Sequence, residues 1–432
     1  MNWKTVYSRR LTTADEAVKN IKSGDRVAIS HAAGEPSHII SAMVSNKESY
    51  KDVEIVHMVP LGGCEYIKPG MEPYFRHNAL FVGAKTRESI KSGHGDFTPC
   101  YFSQIPKMFK NDLPLDVALV HVSTPDEHGY CSFGVAVDYS KPAAEHAKLV
   151  IAQVNPRMPR TLGDTFMHVS DFDFIVEHDA PIIELPPPQI TDVEKAIGEN
   201  CASLVRDGDC LQLGIGAIPD AALMFLKGKK DIGIHTEMFS DGVVELVEAG
   251  VVTNRKKNFH NGKLVATFLM GTKRLYDFVH NNPMVSMYPV TYTNDPYIAG
   301  QNDNLVSINS CVQVDLLGQV CSESVGTVQI SAVGGQVDFV RATAISNGGR
   351  SIIAMPSTAA KGSFSKIVPV LDEGAAVTTN RYDVQYIVTE YGIANLKNRS
   401  TRDRARMLIN IAHPDFRDQL KDEFEKRFKA KF

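Results

Sequence analysis

A chain of 432 residues exceeds the size at which one hydrophobic core keeps growing, so it predicts at least two domains. Hydrophobic residues at 43% and charged residues at 22% exclude a disordered or membrane-embedded chain, and a net charge of −4 leaves no basic footprint for nucleic acid. The seven cysteines are scattered, with no CxxC pair, which argues against a zinc ribbon or a disulfide framework. The opening stretch MNWKTVYSRRLTTADEA has no apolar run followed by a small-residue cleavage site, and no later run reaches spanning length, so the sequence predicts a cytoplasmic protein.

In chain order, the first recognisable unit is IKSGDRVAISHAAGEPSHIISAM, from Ile21 to Met43. It reads as a Gly-Asp turn, a short apolar strand, a small-residue loop carrying His31, a proline suited to a first helical turn, and an apolar helix. DVEIVHMV, DVALVHV and LVIAQV follow as further buried strands. Proline and acid then cluster in EHDAPIIELPPPQITDVEKAIG, where the run Pro186-Pro187-Pro188 excludes helix and central strand and marks a linker.

Beyond the linker the same phrase returns as VRDGDCLQLGIGAIPDAALMFL, with Gly208-Asp209 answering Gly24-Asp25 and Pro219 close to the place of Pro36. A second echo joins DVALVHVSTPDEHGYCSFGV to CVQVDLLGQVCSESVG, both an apolar strand, an acid, a glycine turn and a strand. The later strands LVATFLM, SIIAMPS and QYIVTE, with a helix at TRDRARMLINIA, complete an α/β pattern. The expectation is two similar open-sheet domains related by internal duplication, residues 1–188 and 189–432.

Candidate chemistry sits in the second half. Gly214 and Gly216, in the strand-to-helix loop LGIGA, let backbone N–H groups face an anionic or carbonyl oxygen just before a helix. On its own a GxG is most often no more than a tight turn, and a dinucleotide fingerprint wants a third glycine where this chain has Pro219. In DIGIHTEMFSDG, Glu237 follows a short strand, where α/β folds place ligand chemistry; it reads either as a ribose-binding acid or as a nucleophile. A second glycine loop, SAVGGQVDF, offers Gly334 and Gly335 as further donors or as a plain turn. No HxH or HxxxH pair suggests a metal site.

Taken together, LQLGIGAIPDA, GIHTEMFSDGVVEL, TFLMGTKRLYDF, VGGQVDFVRA, VTEYGIA and INIAHPDF resemble the class I coenzyme A transferases, in the branch of acetyl-CoA hydrolases and 4-hydroxybutyrate CoA-transferases, across nearly the whole chain. The resemblance implies two α/β domains with the active site between them, and Glu237 as the residue that carries CoA as a glutamyl thioester. It implies that backbone groups from Gln212, Leu213, Gly214, Ile215 and Gly216, with Gly335 and the Asn294 side chain, stabilise the oxyanion. Lys361 resembles a lysine that meets CoA phosphates, Val312 a position lining the CoA channel, and His31 a residue facing the acyl group.

The implied activity is CoA transfer between an acyl-CoA and a short-chain carboxylate, with 4-hydroxybutyrate as acceptor and acetyl-CoA or butyryl-CoA as donor. Coenzyme A is a substrate and no cofactor is permanently bound. A butyryl-CoA:acetate transferase and an acetyl-CoA hydrolase share the same machinery; a dinucleotide-binding oxidoreductase and a non-catalytic acyl-CoA sensor are the readings from other classes. Family members are commonly homo-oligomers, so a homodimer or larger assembly is expected, without nucleic-acid or membrane partners.

Overall fold

Gly24 and Gly208 share a backbone torsion, φ +79°, that favours glycine, and each opens a buried strand through the same turn. Asp25 Oδ2 accepts from Lys22 N at 2.8 Å, and Asp209 Oδ2 accepts from Arg206 N at 2.6 Å. The computed structural model describes residues 2–432. Its contacts divide the chain into a first unit, up to Pro186 plus Val265–Thr293, and a second unit, Pro187–Leu264 plus Asn294–Phe432.

In the first unit seven parallel strands run in the order Gly95–Phe97, Phe75–Ala79, Val53–Val56, Arg26–Ile29, Val117–Ser123, Leu149–Asn155, Phe174–Glu177. The second unit has six, in the order Gly233–Ile234, Cys210–Leu213, Leu305–Ser310, Arg350–Ala354, Tyr386–Thr389, Gly392–Asn395, parallel except for the last hairpin. Without Gly95–Phe97 and Phe75–Ala79 in the first unit and Gly392–Asn395 in the second, the same five-strand order is left in each, with Arg26–Ile29 between Val53–Val56 and Val117–Ser123 just as Cys210–Leu213 lies between Gly233–Ile234 and Leu305–Ser310. The register agrees as well: Val27 stands opposite Val117, and Leu211 opposite Val306.

The second echo is a repeated turn. Asp126 Oδ1 accepts from the amides of His128 and Tyr130, and Asp315 Oδ1 from those of Leu317 and Gln319. Gly129 and Gly318 take positive φ in the two copies. The strand preceding the turn is continuous through Ser123 in the first unit, whereas in the second Leu305–Ser310 ends before Gln313–Asp315 begins. Central strands such as Val117–Ser123 and Arg350–Ala354 are buried along their length, which is why their apolar residues, Val117 to Val120 and Ile352 to Ala354, follow one another rather than alternate with polar ones.

The chain is not divided as simply as a break at 188 implies. The proline run does end the first continuous stretch, and Asp192–Ser203 starts a helix behind it with a Thr191/Glu194 capping box. Residues 265–293, however, pack with the first unit. Val137 N and Asp138 N donate to Thr267 O, Leu269 N donates to Val135 O, and Met287 N donates to Leu162 O. LVATFLM therefore forms short pieces, Leu264–Ala266 and Phe268–Leu269, outside both main sheets. An apolar run reports burial and leaves open which sheet, if any, receives it. Among the described residues no helix is long and apolar enough to cross a membrane.

Candidate active site

Glu237 lies just past the carboxyl end of Gly233–Ile234, the outermost strand on its side of the second sheet. The last ladder bond between this strand and its neighbour runs from His235 N to Leu211 O, 3.0 Å. The opposite edge of the strand is satisfied by side chains: Ile234 N donates to Asn254 Oδ1, and Ile234 O accepts from Lys257 Nζ, both at 2.8 Å. His235, fully buried, has its Nδ1 3.1 Å from Asn302 Nδ2 and its ring edge-on to Phe339.

The Glu237 carboxylate is half-buried, and Asn294 Nδ2 donates to its Oε2 at 2.7 Å. Asn294 is fully buried and reaches the carboxylate because the adjoining Asp295 takes over the capping of helix Pro296–Ala299, accepting from Tyr297 N and Ile298 N. Gly335 closes the other side: a Cβ at this position would stand 1.8 Å from Glu237 Oε2 and 2.4 Å from Asn294 Nδ2. Gly335 is also the N-cap of helix Gln336–Ile345, so the carboxylate sits at the positive end of a ten-residue helix. Glu237, Asn294 and Gly335, separated widely in sequence, thus form one constellation within the second unit.

The glycine loop is open on its solvent side. Gly216 holds φ +114° and a Cβ there would meet nothing within 4 Å, while one on Gly214 would meet only Pro219 Cγ, at 3.9 Å. Ile215 is exposed. Among the described residues no acceptor engages the backbone amides of Gly214, Ile215 and Gly216, which leaves them available to a ligand oxygen. Leu213 differs from the sequence expectation: its N–H donates to Thr236 Oγ1 at 3.2 Å and is not a free donor. Gln212 is buried in the strand, with Oε1 accepting from Asn309 Nδ2 at 3.1 Å.

The remaining candidates sit on other elements. Val312, whose N–H donates to Cys321 O, leads into the peripheral sheet of Gln313–Asp315, Val320–Cys321 and Ile367–Val368. Lys361 is exposed at positive φ in the turn between Thr358–Ala359 and Phe364–Ser365. His31 belongs to the first unit, buried among the rings of Phe102, Tyr139 and Phe268 with Nδ1 3.1 Å from the buried carboxylate of Asp138. These contacts give it a packing role there, and a role toward substrate rests on family resemblance alone.

Sequence reading missed Thr236, His235, Asn302, Asn254 and Lys257, all of them buried. Lys257 sits in TNRKKNFHNGK, which has the composition of a solvated loop. Its Nζ instead donates to Ile234 O and Lys263 O, no carboxylate among the described residues pairs with it, and burial brings its pKa down to about 8. Between about pH 8 and the ordinary lysine value the unfolded chain holds this proton and the folded chain does not, so this group's contribution to stability rises with pH in that window. The stability of the parent relative to Lys257→Met should therefore improve by up to about 3 kcal/mol between pH 7 and pH 10.5, read from urea unfolding at both ends. A difference that stays constant with pH would mean that folding does not lower the Lys257 pKa.

Comparisons with known proteins bear on the chain as a whole. The family model of the acetyl-CoA hydrolase/transferase N-terminal domain matches residues 1–186, and that of the C-terminal domain matches residues 271–424. The chain is 63% identical to a 4-hydroxybutyrate coenzyme A transferase of Clostridium kluyveri, over 99% of this chain and 100% of that one. It is 46% identical to a succinyl-CoA:cyclohexane-1-carboxylate CoA transferase of Geobacter metallireducens, over 97% and 96% of the two chains. The crystal structure of a 4-hydroxybutyrate CoA-transferase from Porphyromonas gingivalis superposes with a TM-score of 0.86 at 44% identity, covering 99% of this chain and 100% of that one.

Proposed function

The chain belongs to the acetyl-CoA hydrolase/transferase family, and from that premise we propose that it transfers coenzyme A from an acyl-CoA to a short-chain carboxylate through Glu237. The observation that carries this reading is the carboxylate of Glu237 held by Asn294 Nδ2 against Gly335, with a glycine loop nearby in sequence whose amides have no acceptor among the described residues. Such a carboxylate is a fixed nucleophile with oxyanion donors at hand.

In the first step Glu237 attacks the thioester carbonyl, the C–S bond breaks, and a mixed anhydride and CoA thiolate form. The thiolate then attacks the glutamyl carbonyl, the anhydride C–O bond breaks, and the first carboxylate leaves. Glu237 now carries CoA as a thioester, so the energy of the original thioester bond stays in the protein. An incoming carboxylate reverses both steps. No net proton transfer is needed, which explains how the site works without an assigned acid–base histidine.

Each attack places negative charge on a carbonyl oxygen, next to the amides of Gly214 to Gly216 and the Asn294 side chain. We assign 4-hydroxybutyrate as the acceptor and acetyl-CoA or butyryl-CoA as the donor, supported by the 63% identity over essentially the full chain. Lys361 and Val312 are proposed to meet CoA, His31 to face the acyl group, and the working protein to be a homodimer or larger homo-oligomer.

Initial rates with acyl-CoA and acceptor varied together test the reading. Parallel double-reciprocal lines, with 4-hydroxybutyrate giving a higher kcat/KM than acetate or butyrate, are expected. Intersecting lines would contradict the covalent route, and CoA release as fast without acceptor as with it would make the protein a hydrolase.

A further inference from the structure

The glycine loop and the nucleophile leave the sheet on neighbouring strands whose ladder ends before either is reached. The register between Cys210–Leu213 and Gly233–Ile234 stops at Leu211 opposite Ile234, and the bond from His235 N to Leu211 O is its last rung. Beyond it the two segments diverge, one into Gly214–Ile215–Gly216 and the other into Glu237. One side-chain atom spans the gap. Thr236 Oγ1 lies 3.2 Å from Leu213 N, 3.0 Å from Leu213 O and 2.9 Å from Met238 O.

Thr236 is 1% exposed, so no water competes for these contacts. A hydroxyl accepts from one amide and has a single hydrogen to donate. Its oxygen therefore takes the Leu213 N–H while its proton goes to Leu213 O or to Met238 O. Leu213 is the residue before the glycine loop, and Met238 the residue after Glu237. The hydroxyl thus ties together the backbone on either side of the two groups that must meet one substrate carbonyl.

We infer that Thr236 is a positioning residue for the transfer reaction, setting the distance between the oxyanion donors of the glycine loop and the Glu237 carboxylate. This rests on Glu237 being the nucleophile. Thr236 touches no reacting atom, and its effect is geometric. Misplacement of a reacting group by about 1 Å costs on the order of a hundredfold in rate. Valine has the shape of threonine without the hydroxyl and leaves Leu213 N–H without an acceptor.

The test is the time course of CoA adduct formation on the full-length protein, mixed with acyl-CoA in the absence of acceptor and followed by intact mass. Its amplitude counts competent sites, and its rate constant at saturating acyl-CoA reports their geometry, so a loss of folded protein lowers only the amplitude. Thr236→Val and Thr236→Ala are expected to lower the rate constant by about 10- to 100-fold while the half-saturating acyl-CoA concentration moves less than about threefold. Thr236→Ser, which keeps the hydroxyl, should stay within about threefold of the parent.

Rate constants for the valine and alanine variants within threefold of the parent, with only the amplitude reduced, would overturn the inference. Should both fail to fold, Thr236→Cys decides: a thiol bonds more weakly than a hydroxyl, so its rate constant must fall below that of Thr236→Ser, and equality would overturn the inference. A parent protein that forms no adduct would instead remove the Glu237 reading on which the inference stands.

Discussion

Glu237→Gln is expected to leave the protein folded and to lower CoA transfer by about 10⁴-fold or more, the scale at which loss of a covalent nucleophile acts. Glutamine has the size of glutamate, and its carbonyl oxygen still accepts from Asn294 Nδ2, so the packing around the site is kept. What disappears is the negative charge. A neutral amide does not attack a thioester as a carboxylate does, and it lacks the second oxygen that would bridge the mixed anhydride. The melting temperature should move by no more than a few degrees, while acyl-CoA exchange into a labelled acceptor falls to background. Exchange above about 1% of the parent rate would place the chemistry on another group.

Gly335→Ala carries the second largest expected effect, and its cause is spatial. Gly335 has φ −96°, which alanine adopts without strain, so the backbone does not object to the substitution. The new methyl does not fit: at 1.8 Å from Glu237 Oε2, 2.4 Å from Asn294 Nδ2 and 3.0 Å from Glu237 Cδ, it claims the volume of the carboxylate. Either Glu237 turns away from Asn294, or the start of helix Gln336–Ile345 retreats and takes its positive end with it. Both outcomes separate the Glu237 carboxylate from its hydrogen-bond donor.

A loss of about 10²- to 10³-fold in kcat follows, with a smaller change in KM because the glycine loop at Gly214 to Gly216 is untouched. Steady-state kinetics on the purified variant give both numbers. An alanine enzyme with full kcat would mean that the carboxylate is not held against Gly335 in the working protein.

Much of this could be read from the residues because it depends on local rules. A Gly-Asp pair before an apolar run predicted the turns at Gly24 and Gly208, and the proline run marked where the first continuous stretch ends. The acid after a short strand and the two glycine loops were visible for the same reason. What escaped depends on long-range pairing. Nothing local in LVATFLM tells that Thr267 O accepts from Val137 and Asp138, and this decides which unit receives the segment.

The same holds at the site. The amide of Leu213 looked free until Thr236 was found beside it, and Lys257 looked solvated until its ammonium was found on Ile234 O. A buried polar side chain is identified by its partners, and partners 23 residues away in sequence leave no periodic signal.

The central claim is that Glu237 becomes covalently bound to coenzyme A, and intact mass with peptide mapping after incubation with butyryl-CoA alone tests it most directly. The account predicts a CoA adduct on the peptide that contains Glu237, absent from Glu237→Gln and discharged when acetate or 4-hydroxybutyrate is added. No adduct on the parent, with Glu237→Gln exchanging CoA at the same rate, would contradict it.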